Sequence, residues 1–338
     1  MAQDIRNVPN DGIICRIENL KKYYPISGGV FRRTVGHVKA LDGVSLELRR
    51  KETVGVVGES GCGKSTLGKN MMLLQRPSSG KVSYLLDGEM KDILNLDGAG
   101  IMRFKKSMQM VFQDPYSSLN PAKKIFDLFD EPLRIHDWKD PQERKGIMEK
   151  YLRIVNLSPD YLYRFPHEFS GGQRQRICIA RALCLEPEVV VCDEPVSSLD
   201  VSIQAQILNL MKEIQKDLGL TYVFIAHDLS VVQYMSDRII VMYLGRVVED
   251  AGKRELYEEP LHPYTRALLS AIPIPVLGAK KNRIILEGDV PSPVNKPSGC
   301  PFHTRCASRI AECSVTEPEL TAVSPRHRVA CHLYKGDV

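Results

Sequence analysis

The residues with the clearest chemical meaning form one glycine-rich segment. It reads Gly-Glu-Ser-Gly-Cys-Gly-Lys-Ser-Thr and fits G-x-x-x-x-G-K-[ST], a loop that cradles phosphate. Glycines let the backbone curl so that successive N–H groups point at phosphate oxygens. The lysine adds a fixed positive charge, and the hydroxyl after it suits Mg²⁺. The predicted phosphate loop consists of Gly58, Glu59, Ser60, Gly61, Cys62, Gly63, Lys64, Ser65 and Thr66.

Two acidic residues end an apolar run much further along the chain. Asp193 and Glu194 follow Val189–Cys192, which has the pattern of a buried strand. At a strand end Asp193 suits an outer-shell Mg²⁺ contact, and Glu194 suits a general base that polarises water. A strand that simply reaches the surface also ends in acids, so the pattern alone is moderately specific.

Two other polar residues follow predicted strands. Gln113 comes after Met108–Phe112, and a glutamine there can reach Mg²⁺ or an attacking water. His227 comes after Thr221–Ala226. Taken singly, an exposed glutamine and a structural histidine are the commoner interpretations.

A Ser-Gly-Gly-Gln segment opens a second predicted helix, which continues through the apolar residues 177–185. A serine N-cap and free backbone N–H groups make a helix start suited to anions. An ordinary N-cap is the alternative, but adjacent glycines cost stability unless the backbone must approach something closely. The four residues are Ser170, Gly171, Gly172 and Gln173.

The elements around these residues follow from apolar runs and breakers. Thr53–Val57 is predicted as a buried parallel strand before the phosphate loop. Residues 66–74 are predicted as a helix that stops before Arg76-Pro77. Residues 123–159 are predicted to be helical, broken at Pro132 and Pro141.

Antiparallel strands are predicted for the N-terminal region, because apolar and polar residues alternate from Ile13 to Leu48. Tyr23 and Tyr24 lie within it, and such an aromatic residue can stack on adenine. From spacing alone, packing against a neighbouring strand is the better interpretation. A further strand pair is predicted over residues 81–96, and Ser197–Asp200 is predicted as a turn with a capping aspartate.

Composition favours a soluble globular protein. The 338 residues are 43% hydrophobic and 26% charged, and no run approaches the roughly 18 apolar residues that span a bilayer. Met1–Arg6 has no apolar core, so no signal peptide is predicted and the protein is expected in the cytoplasm. A net charge of +5 gives no indication of a nucleic-acid partner.

The cysteines fall into two sets. Five are scattered in apolar surroundings, and we interpret them as small core residues. The other four cluster near the C-terminus, after a proline-rich stretch that includes Pro273, Pro275 and Pro291. Their spacing indicates one metal centre of open identity, either zinc or an iron–sulfur cluster. They are Cys300, Cys306, Cys313 and Cys331, and His303, His327 or His332 is a possible replacement ligand.

In chain order, the phosphate loop, the strand-end Gln, Ser-Gly-Gly-Gln, the strand with Asp-Glu, the Ser-x-Leu-Asp turn and the strand-end His resemble the ATP-binding cassette (ABC) ATPases. The resemblance covers about residues 13 to 255. It implies an α/β fold with a P-loop (RecA-like) core, an N-terminal antiparallel β-subdomain, and a helical signature subdomain at about residues 115–170.

The resemblance also implies roles for the residues. The phosphate loop becomes the Walker A loop, and the segment that starts at Ser170 becomes the signature, led here by Phe169 instead of the commoner Leu. Two subunits sandwich two ATP molecules, so that each site pairs the Walker loops of one chain with the signature of the other. The implied roles are Mg²⁺ contacts for Ser65, Gln113 and Asp193, catalytic base for Glu194, switch histidine for His227, D-loop for Asp200, and adenine stacking for Tyr24 or, one residue earlier, Tyr23.

The C-terminal part narrows the resemblance. His262–Thr265, Gly288–Pro293 and the two segments Gly299-Cys300 and Arg305-Cys306 look like the C-terminal region of the oligopeptide and dipeptide importer ATPases. Phe31–Arg33 and Val38–Gly43 look like the second, F-type ATPase of such importers. The resemblance implies an ABC ATPase domain at 13–258, an irregular Cys-rich extension at 259–338, and a structural 4Fe-4S cluster on the four cysteines.

This resemblance implies an ATP-hydrolysing subunit that uses Mg²⁺ and powers uptake of dipeptides or oligopeptides through a membrane permease. The implied partners are a second ABC ATPase in a heterodimer, two transmembrane permease subunits and an extracytoplasmic substrate-binding protein, with this chain on the cytoplasmic side of the inner membrane. Nickel or oligosaccharide remains an alternative cargo. A nucleic-acid-remodelling ABC ATPase is a remote alternative, because that class separates the phosphate loop from the signature by a long coiled coil. Here only residues 67–169 lie between them, too few for such a coiled coil.

Overall fold

The computed structural model describes residues 12–28, 33–272 and 283–334. The predictions made for Met1–Arg6, Phe31, Arg32, Pro273 and Pro275 lie outside these residues. Tertiary contacts divide the chain into two compact units. The first combines Met1–Arg16, Glu47–Glu52 and Ser83–Phe224, and the second combines Ile17–Leu46, Thr53–Val82 and Ile225–Val338. The domain boundaries predicted from the sequence remain predictions.

The strands agree closely with the apolar runs. Every residue of the runs predicted before the phosphate loop, before Glu194 and before His227 is buried within its strand. The strands are β1 (Ile13–Gly28), β2 (Arg33–Arg49), β3 (Thr53–Val57), β4 (Ser79–Leu86), β5 (Glu89–Asp92), β6 (Met108–Val111), β7 (Val189–Asp193), β8 (Thr221–Ile225), β9 (Arg238–Tyr243), β10 (Arg246–Gly252), β11 (Thr321–Ser324) and β12 (His327–Val329).

The helices are α1 (Lys64–Met71), α2 (Gly98–Ser107), α3 (Pro115–Ser118), α4 (Ile125–Ile135), α5 (Pro141–Ile154), α6 (Gly171–Leu183), α7 (Val201–Leu218), α8 (Leu229–Met235), α9 (Lys253–Glu258) and α10 (Pro263–Ser270). Helices α1 and α6 begin within or directly after the two glycine-rich segments. Within the described ranges, no helix is long and apolar enough to cross a membrane.

The sheets confirm the predicted mixture of antiparallel and parallel pairing. In the first unit β4 pairs with β5 in antiparallel register. In the first unit β6 and β7 pair in parallel. In the second unit β3 and β9 pair in parallel, whereas β10 pairs with β9 in antiparallel register. The ends of β6 and β7 therefore lie side by side, as the placement of Gln113 and Glu194 requires.

Helix α1 begins earlier than predicted. The sequence predicted residues 66–74, but the helix spans Lys64–Met71. It can begin inside the loop because its N-cap, Gly63, has a left-handed φ of +105°, which glycine adopts without steric cost. It ends early because Leu73 also has a positive φ, of +54°.

Pro132 does not break its helix, so that part of the prediction was wrong. Helix α4 runs through it, whereas Pro141 starts α5 as predicted. Proline at 132 has no N–H to donate one turn back, which removes one helix hydrogen bond. Buried Phe129 and Leu133 hold the helix against the core on either side of this position.

The C-terminal extension contains more regular structure than predicted. Strands β11 and β12 form an antiparallel hairpin, and β12 pairs with β10 through Glu249↔Val329, Asp250↔Arg328 and Ala251↔His327. The extension thus continues the sheet of the second unit. Short strands were not recognised because His327–Val329 is too short to show an alternating pattern.

Candidate functional site

The phosphate loop of the second unit joins β3 to α1. A Cβ at Gly63 would lie 2.3 Å from the carbonyl oxygen of Ala40, so only glycine fits this turn. The Lys64 ammonium donates to the carbonyl of Gly58 at 2.8 Å and to that of Glu59 at 3.1 Å. The side chain therefore lies beneath its own loop, with the cation at the centre of the curl.

The remaining loop residues occupy distinct positions. Ser65 follows Lys64 in the first turn of α1, and Thr66 follows it. Ser60 and Gly61 are exposed at the tip of the loop. Cys62 is 3% exposed, and burial is the main cause that raises the pKa of its thiol. Cys62 is thus a buried small residue, as predicted for the scattered cysteines.

Gln113 and Glu194 meet in the first unit. The Gln113 amide donates to Glu194 Oε2 at 2.9 Å, although the residues are 81 positions apart. Asp193, the last residue of β7, is 4% exposed. Glu194 has a left-handed φ of +47°, an uncommon conformation for a non-glycine residue that turns the chain out of the strand. The strand-end position thus separates a buried carboxylate from one that can reach a ligand.

The segment that starts at Ser170 forms a capping box at the start of α6. Ser170 Oγ accepts from the Gln173 N–H at 3.3 Å, and Gln173 Oε1 accepts from the Ser170 N–H at 3.0 Å. A Cβ at Gly172 would lie 2.7 Å from Ile203 Cγ2 in α7. The paired glycines predicted that the backbone approaches something closely. At Gly172 the close neighbour is helix α7 of the same unit.

Asp200 does not cap α7 with its side chain, contrary to prediction. It occupies the N-cap position, but no side-chain hydrogen bond forms there. Gln204 holds the turn instead, because its amide donates to the carbonyls of Val196 at 3.0 Å and Leu199 at 2.9 Å. A glutamine four residues into a helix gives no sequence signal for this role.

The two N-terminal tyrosines have different surroundings. Tyr23 donates its hydroxyl to Asp42, and burial is the main cause that raises its pKa to about 12. The Tyr24 hydroxyl donates to Gln75, and the Lys22 ammonium lies 5.0 Å from the Tyr24 ring centroid. Adenine stacking by either ring remains a prediction.

His227 lies in the second unit, between β8 and α8 in the chain, and it is exposed. Asp228 caps α8 by accepting from the Ser230 N–H at 2.7 Å. The loop that carries His227 is thus fixed on its helix side, and the switch role remains a prediction.

Two residues that contact the phosphate loop were missed in the sequence. The Arg305 guanidinium donates to both Glu59 carboxylate oxygens, at 2.8 and 3.1 Å. The Glu59 N–H donates to the Tyr264 hydroxyl oxygen at 2.8 Å. Both of the missed residues belong to segments that carry the C-terminal resemblance, but no local pattern pairs Tyr264 with a residue 205 positions away.

The four C-terminal cysteines lie near one another. Cys300 and Cys313 are buried, and the Cys300 N–H donates to the Cys313 carbonyl at 2.8 Å. Burial is the main cause that raises the pKa of Cys300 to about 11, and the other three thiols add to it. However, the residues that the structure describes include no group of three or more His, Cys, Asp or Glu placed to hold a metal ion. The donor set suits a metal centre, and the predicted 4Fe-4S cluster stays a prediction.

The three histidines considered as replacement ligands each have another partner. His303 Nδ1 lies 2.8 Å from the Cys300 carbonyl oxygen, and His332 Nε2 lies 2.8 Å from that of Thr316. His327 Nε2 lies 2.7 Å from Glu249. In each case a protein group orients the imidazole ring.

Two protein families match the chain. Residues 41–197 match the ABC transporter family, and residues 248–313 match the oligopeptide/dipeptide transporter C-terminal region. The first range includes the phosphate loop, Gln113, the capping box and both strand-end acids. The second includes Tyr264, Arg305 and three of the four clustered cysteines.

Curated relatives match over nearly the whole chain. It is 52% identical over 328 residues to the oligopeptide transport ATP-binding protein AppF of Bacillus subtilis, covering 96% of this chain and 98% of the relative. It is 47% identical over 312 residues to the dipeptide transport ATP-binding protein DppF of Haemophilus influenzae, covering 92% and 94%.

Solved structures show the same fold. The cbiO1 protein from Clostridium perfringens, part of the ABC transporter complex cbiONQ, matches with a TM-score of 0.61 and 29% identity, over 74% of this chain and 92% of that one. An ATP-binding cassette solved as a dimer with ADP and Pi matches with a TM-score of 0.61 and 27% identity, over 71% and 99%. These matches confirm the predicted α/β ABC ATPase fold. Together with relatives that align along almost its entire length, they show that the chain belongs to the ABC transporter ATPases, in the group that carries the oligopeptide/dipeptide C-terminal region.

Proposed function

We propose that this ATPase powers the import of dipeptides or oligopeptides through a membrane permease. One observation carries the proposal: the ABC transporter match and the oligopeptide/dipeptide C-terminal match occur in the same chain, at residues 41–197 and 248–313. The names of relatives at 52% and 47% identity supply the peptide cargo.

The site residues take the roles that the family implies. Residues 58–66 bind the phosphates of ATP, with Lys64 as the fixed cation, while Ser65, Gln113 and Asp193 serve the Mg²⁺ ion. Glu194 is the general base, His227 is the switch histidine, and Tyr24 stacks on adenine. The hydrogen bond between Gln113 and Glu194 supports this scheme, because it brings a proposed Mg²⁺ ligand and the proposed base into contact.

The nucleotide site is proposed to be shared between subunits. The segment from Ser170 to Gln173 contacts the γ-phosphate held by a second ABC ATPase, and Asp200 lies at the same interface. Dimeric solved cassettes of the same fold support this arrangement. Two permease subunits and an extracytoplasmic substrate-binding protein complete the assembly, with this chain on the cytoplasmic face of the inner membrane.

Replacement of Lys64 by alanine tests the ATP site, and an uptake assay tests the cargo. Lys64→Ala removes the cation at the centre of the loop, so we expect ATP binding to weaken by about a hundredfold or more, since hydrogen bonds to charged groups are worth about 1.5–3 kcal/mol each. Calorimetric titration of the purified chain with MgATP measures the binding. Uptake of a labelled dipeptide by proteoliposomes that contain the full assembly measures the transport.

Normal ATP binding by Lys64→Ala would contradict the phosphate-loop assignment. Lys69→Ala is the matched control, because it removes a lysine from the last turn of the same helix. ATP-driven uptake of nickel or an oligosaccharide, without uptake of peptide, would replace the cargo and leave the ATPase assignment in place.

We also propose that Cys300, Cys306, Cys313 and Cys331 bind a metal centre, with a 4Fe-4S cluster as the first candidate and Zn²⁺ as the second. Support comes from the soft donor set and from the interactions of Cys300 with the other three thiols. Metal binding requires the thiols to lose their protons. The raised pKa of Cys300 opposes this loss in the metal-free protein, and the positive charge of a bound metal would favour it. The centre would hold the extension together.

Metal analysis of anaerobically purified protein tests this proposal. We expect iron and acid-labile sulfide with broad visible absorption, and we expect Cys300→Ala to lose both. Cys178→Ala removes a buried thiol from α6 and should keep them. A colourless protein with zinc would select the second candidate, and a protein free of metal would refute the proposal.

A further inference from the structure

A partly buried ion pair joins the extension to the phosphate loop. Arg305 donates from both terminal nitrogens to the Glu59 carboxylate, at 2.8 and 3.1 Å. Its side chain is 8% exposed and that of Glu59 is 26% exposed. Paired, parallel hydrogen bonds between guanidinium and carboxylate fix orientation as well as charge. The pair therefore holds the Glu59 side chain in one direction.

The backbone of Glu59 is held from the same side. Its N–H donates to the hydroxyl oxygen of Tyr264 at 2.8 Å, and Tyr264 is fully buried. The Tyr264 ring packs against Tyr243 at 4.8 Å and Phe302 at 5.4 Å between ring centroids. Phe302 lies three residues before Arg305. The extension thus fixes both the main chain and the side chain of one loop residue.

The charge of Glu59 matters because of where it lies. It is the second residue of the loop, and its carbonyl accepts from the Lys64 ammonium at 3.1 Å. A loop that binds a triphosphate needs positive charge, and a carboxylate in it has the same sign as the ligand. Unless a cation neutralises it, such a group repels the phosphates.

Local packing alone does not account for Arg305. Its Nε atom is buried and has no hydrogen-bond partner within the described ranges. A buried polar atom without a partner costs free energy, so the Arg305 side chain is placed here at a penalty. Its terminal nitrogens instead donate to the Glu59 carboxylate, and one of them also lies 3.5 Å from the Tyr243 hydroxyl oxygen.

We propose that Arg305 is a positioning residue for the nucleotide site: it neutralises Glu59 and fixes the start of the phosphate loop. The affinity for ATP then depends on the extension, although Arg305 itself does not touch the nucleotide. This inference rests on the proposed assignment of residues 58–66 as the phosphate loop.

Charge-matched variants of the full chain test the inference by calorimetric titration with MgATP. Arg305→Ala leaves the Glu59 charge unpaired, so the dissociation constant should rise about tenfold, which corresponds to about 1.4 kcal/mol. Arg305→Lys keeps the charge without the paired hydrogen bonds and should recover part of the loss. Arg305→Ala combined with Glu59→Gln should bind ATP nearly as tightly as the wild type, because the unpaired charge is gone.

Steady-state kinetics of the assembled transporter provide a second readout. Arg305→Ala should raise the KM for ATP with kcat changed by less than about twofold, since the interaction serves binding in ground and transition states alike. Arg326→Ala removes an exposed arginine from the same extension and serves as the control.

The inference fails if Arg305→Ala binds ATP like the wild type, or if Glu59→Gln does not restore binding in the double variant. If Arg305→Ala does not fold, Glu59→Gln alone decides: it should bind ATP more tightly than the wild type, and weaker binding refutes charge neutralisation. Loss of binding in Lys64→Ala with unchanged binding in Arg305→Ala would reject this inference alone. Normal binding in Lys64→Ala would reject the phosphate-loop assignment itself.

Discussion

Single side chains at the site are held by the protein's own polar groups. The Lys64 ammonium bonds to loop carbonyls, and the Glu194 carboxylate accepts from Gln113. A base that already accepts one hydrogen bond still has lone pairs on both oxygens for a water molecule. Gln113 therefore orients Glu194 without using up its capacity to take a proton.

At this scale, Glu194→Gln should separate binding from turnover. The amide oxygen can still accept from Gln113, so the local geometry and ATP binding should persist. The proposed general base is lost, so kcat should fall by about a hundredfold or more. ATPase assays on the assembled transporter and ATP titration of the purified chain measure the two effects.

Glu89→Gln is the control for this prediction, because it removes a carboxylate that is 78% exposed in the same unit. Turnover at the wild-type rate in Glu194→Gln would remove Glu194 from its proposed role. Loss of ATP binding would instead indicate that the carboxylate is needed to shape the site.

The residues found from the sequence share one property: their chemistry follows from neighbours within a few positions. Gly63 and Lys64 belong to a short spacing pattern, and Glu194 follows a run of buried residues. Arg305 lies 246 positions from Glu59, and nothing near either residue indicates the other. Local patterns therefore predict loops and strand ends, whereas contacts between distant segments emerge only when the chain is folded.

At the scale of elements, helix starts determine where the site residues lie. Gly63 lets α1 begin one residue after the turn, Ser170 caps α6, and His262 caps α10 by accepting from the Tyr264 N–H at 3.1 Å. The cap at α10 is notable because histidine can titrate. Its protonation state therefore affects the helix that carries Tyr264.

Acid should weaken the cap at α10. His262 is 1% exposed, and burial lowers its pKa to about 4, with Glu249 acting in the opposite direction. The ordinary value is about 6.5, so below that pH the unfolded chain binds a proton that the folded chain does not. The free energy of unfolding should therefore fall between pH 7 and pH 4.5, by about 2 kcal/mol from this residue.

His262→Asn keeps an oxygen that can accept at the cap but does not titrate. Urea unfolding at both pH values should show a smaller loss of stability in this variant, by that same amount. Glu249 and His327, which lie close by, are present in both proteins and cancel in the comparison. Equal losses in the two proteins would refute the assignment.

The elements themselves were largely predictable, and the errors have physical causes. Strands β3, β7 and β8 match their apolar runs because all five residues of each are buried. The helix through Pro132 and the hairpin of β11 and β12 were not predicted. In both, tertiary packing outweighs weak local preferences, which a single sequence does not reveal.

At the scale of the whole chain, the extension is an integral part of the second unit. Strand β12 extends the sheet of β10, and Glu249 accepts from the N–H groups of Leu261 and His262 at 2.7 and 3.0 Å. Lys296 donates to Asp42 at 3.2 Å and to the Leu244 carbonyl at 2.6 Å. Polar contacts therefore tie the extension to residues that precede and follow the phosphate loop.

Truncation near residue 258 looks harmless in the sequence, because every motif of the ABC cassette lies before it. Such a shortened protein would nevertheless lose the ion pair between Arg305 and Glu59. Deleting the tail would also remove the counter-ion of Glu59, an acidic residue in the proposed phosphate loop. On the proposed role of Arg305, a shortened cassette prepared for screening or crystallisation would thus carry an altered charge at the nucleotide site, and inhibitors would be ranked against that altered charge.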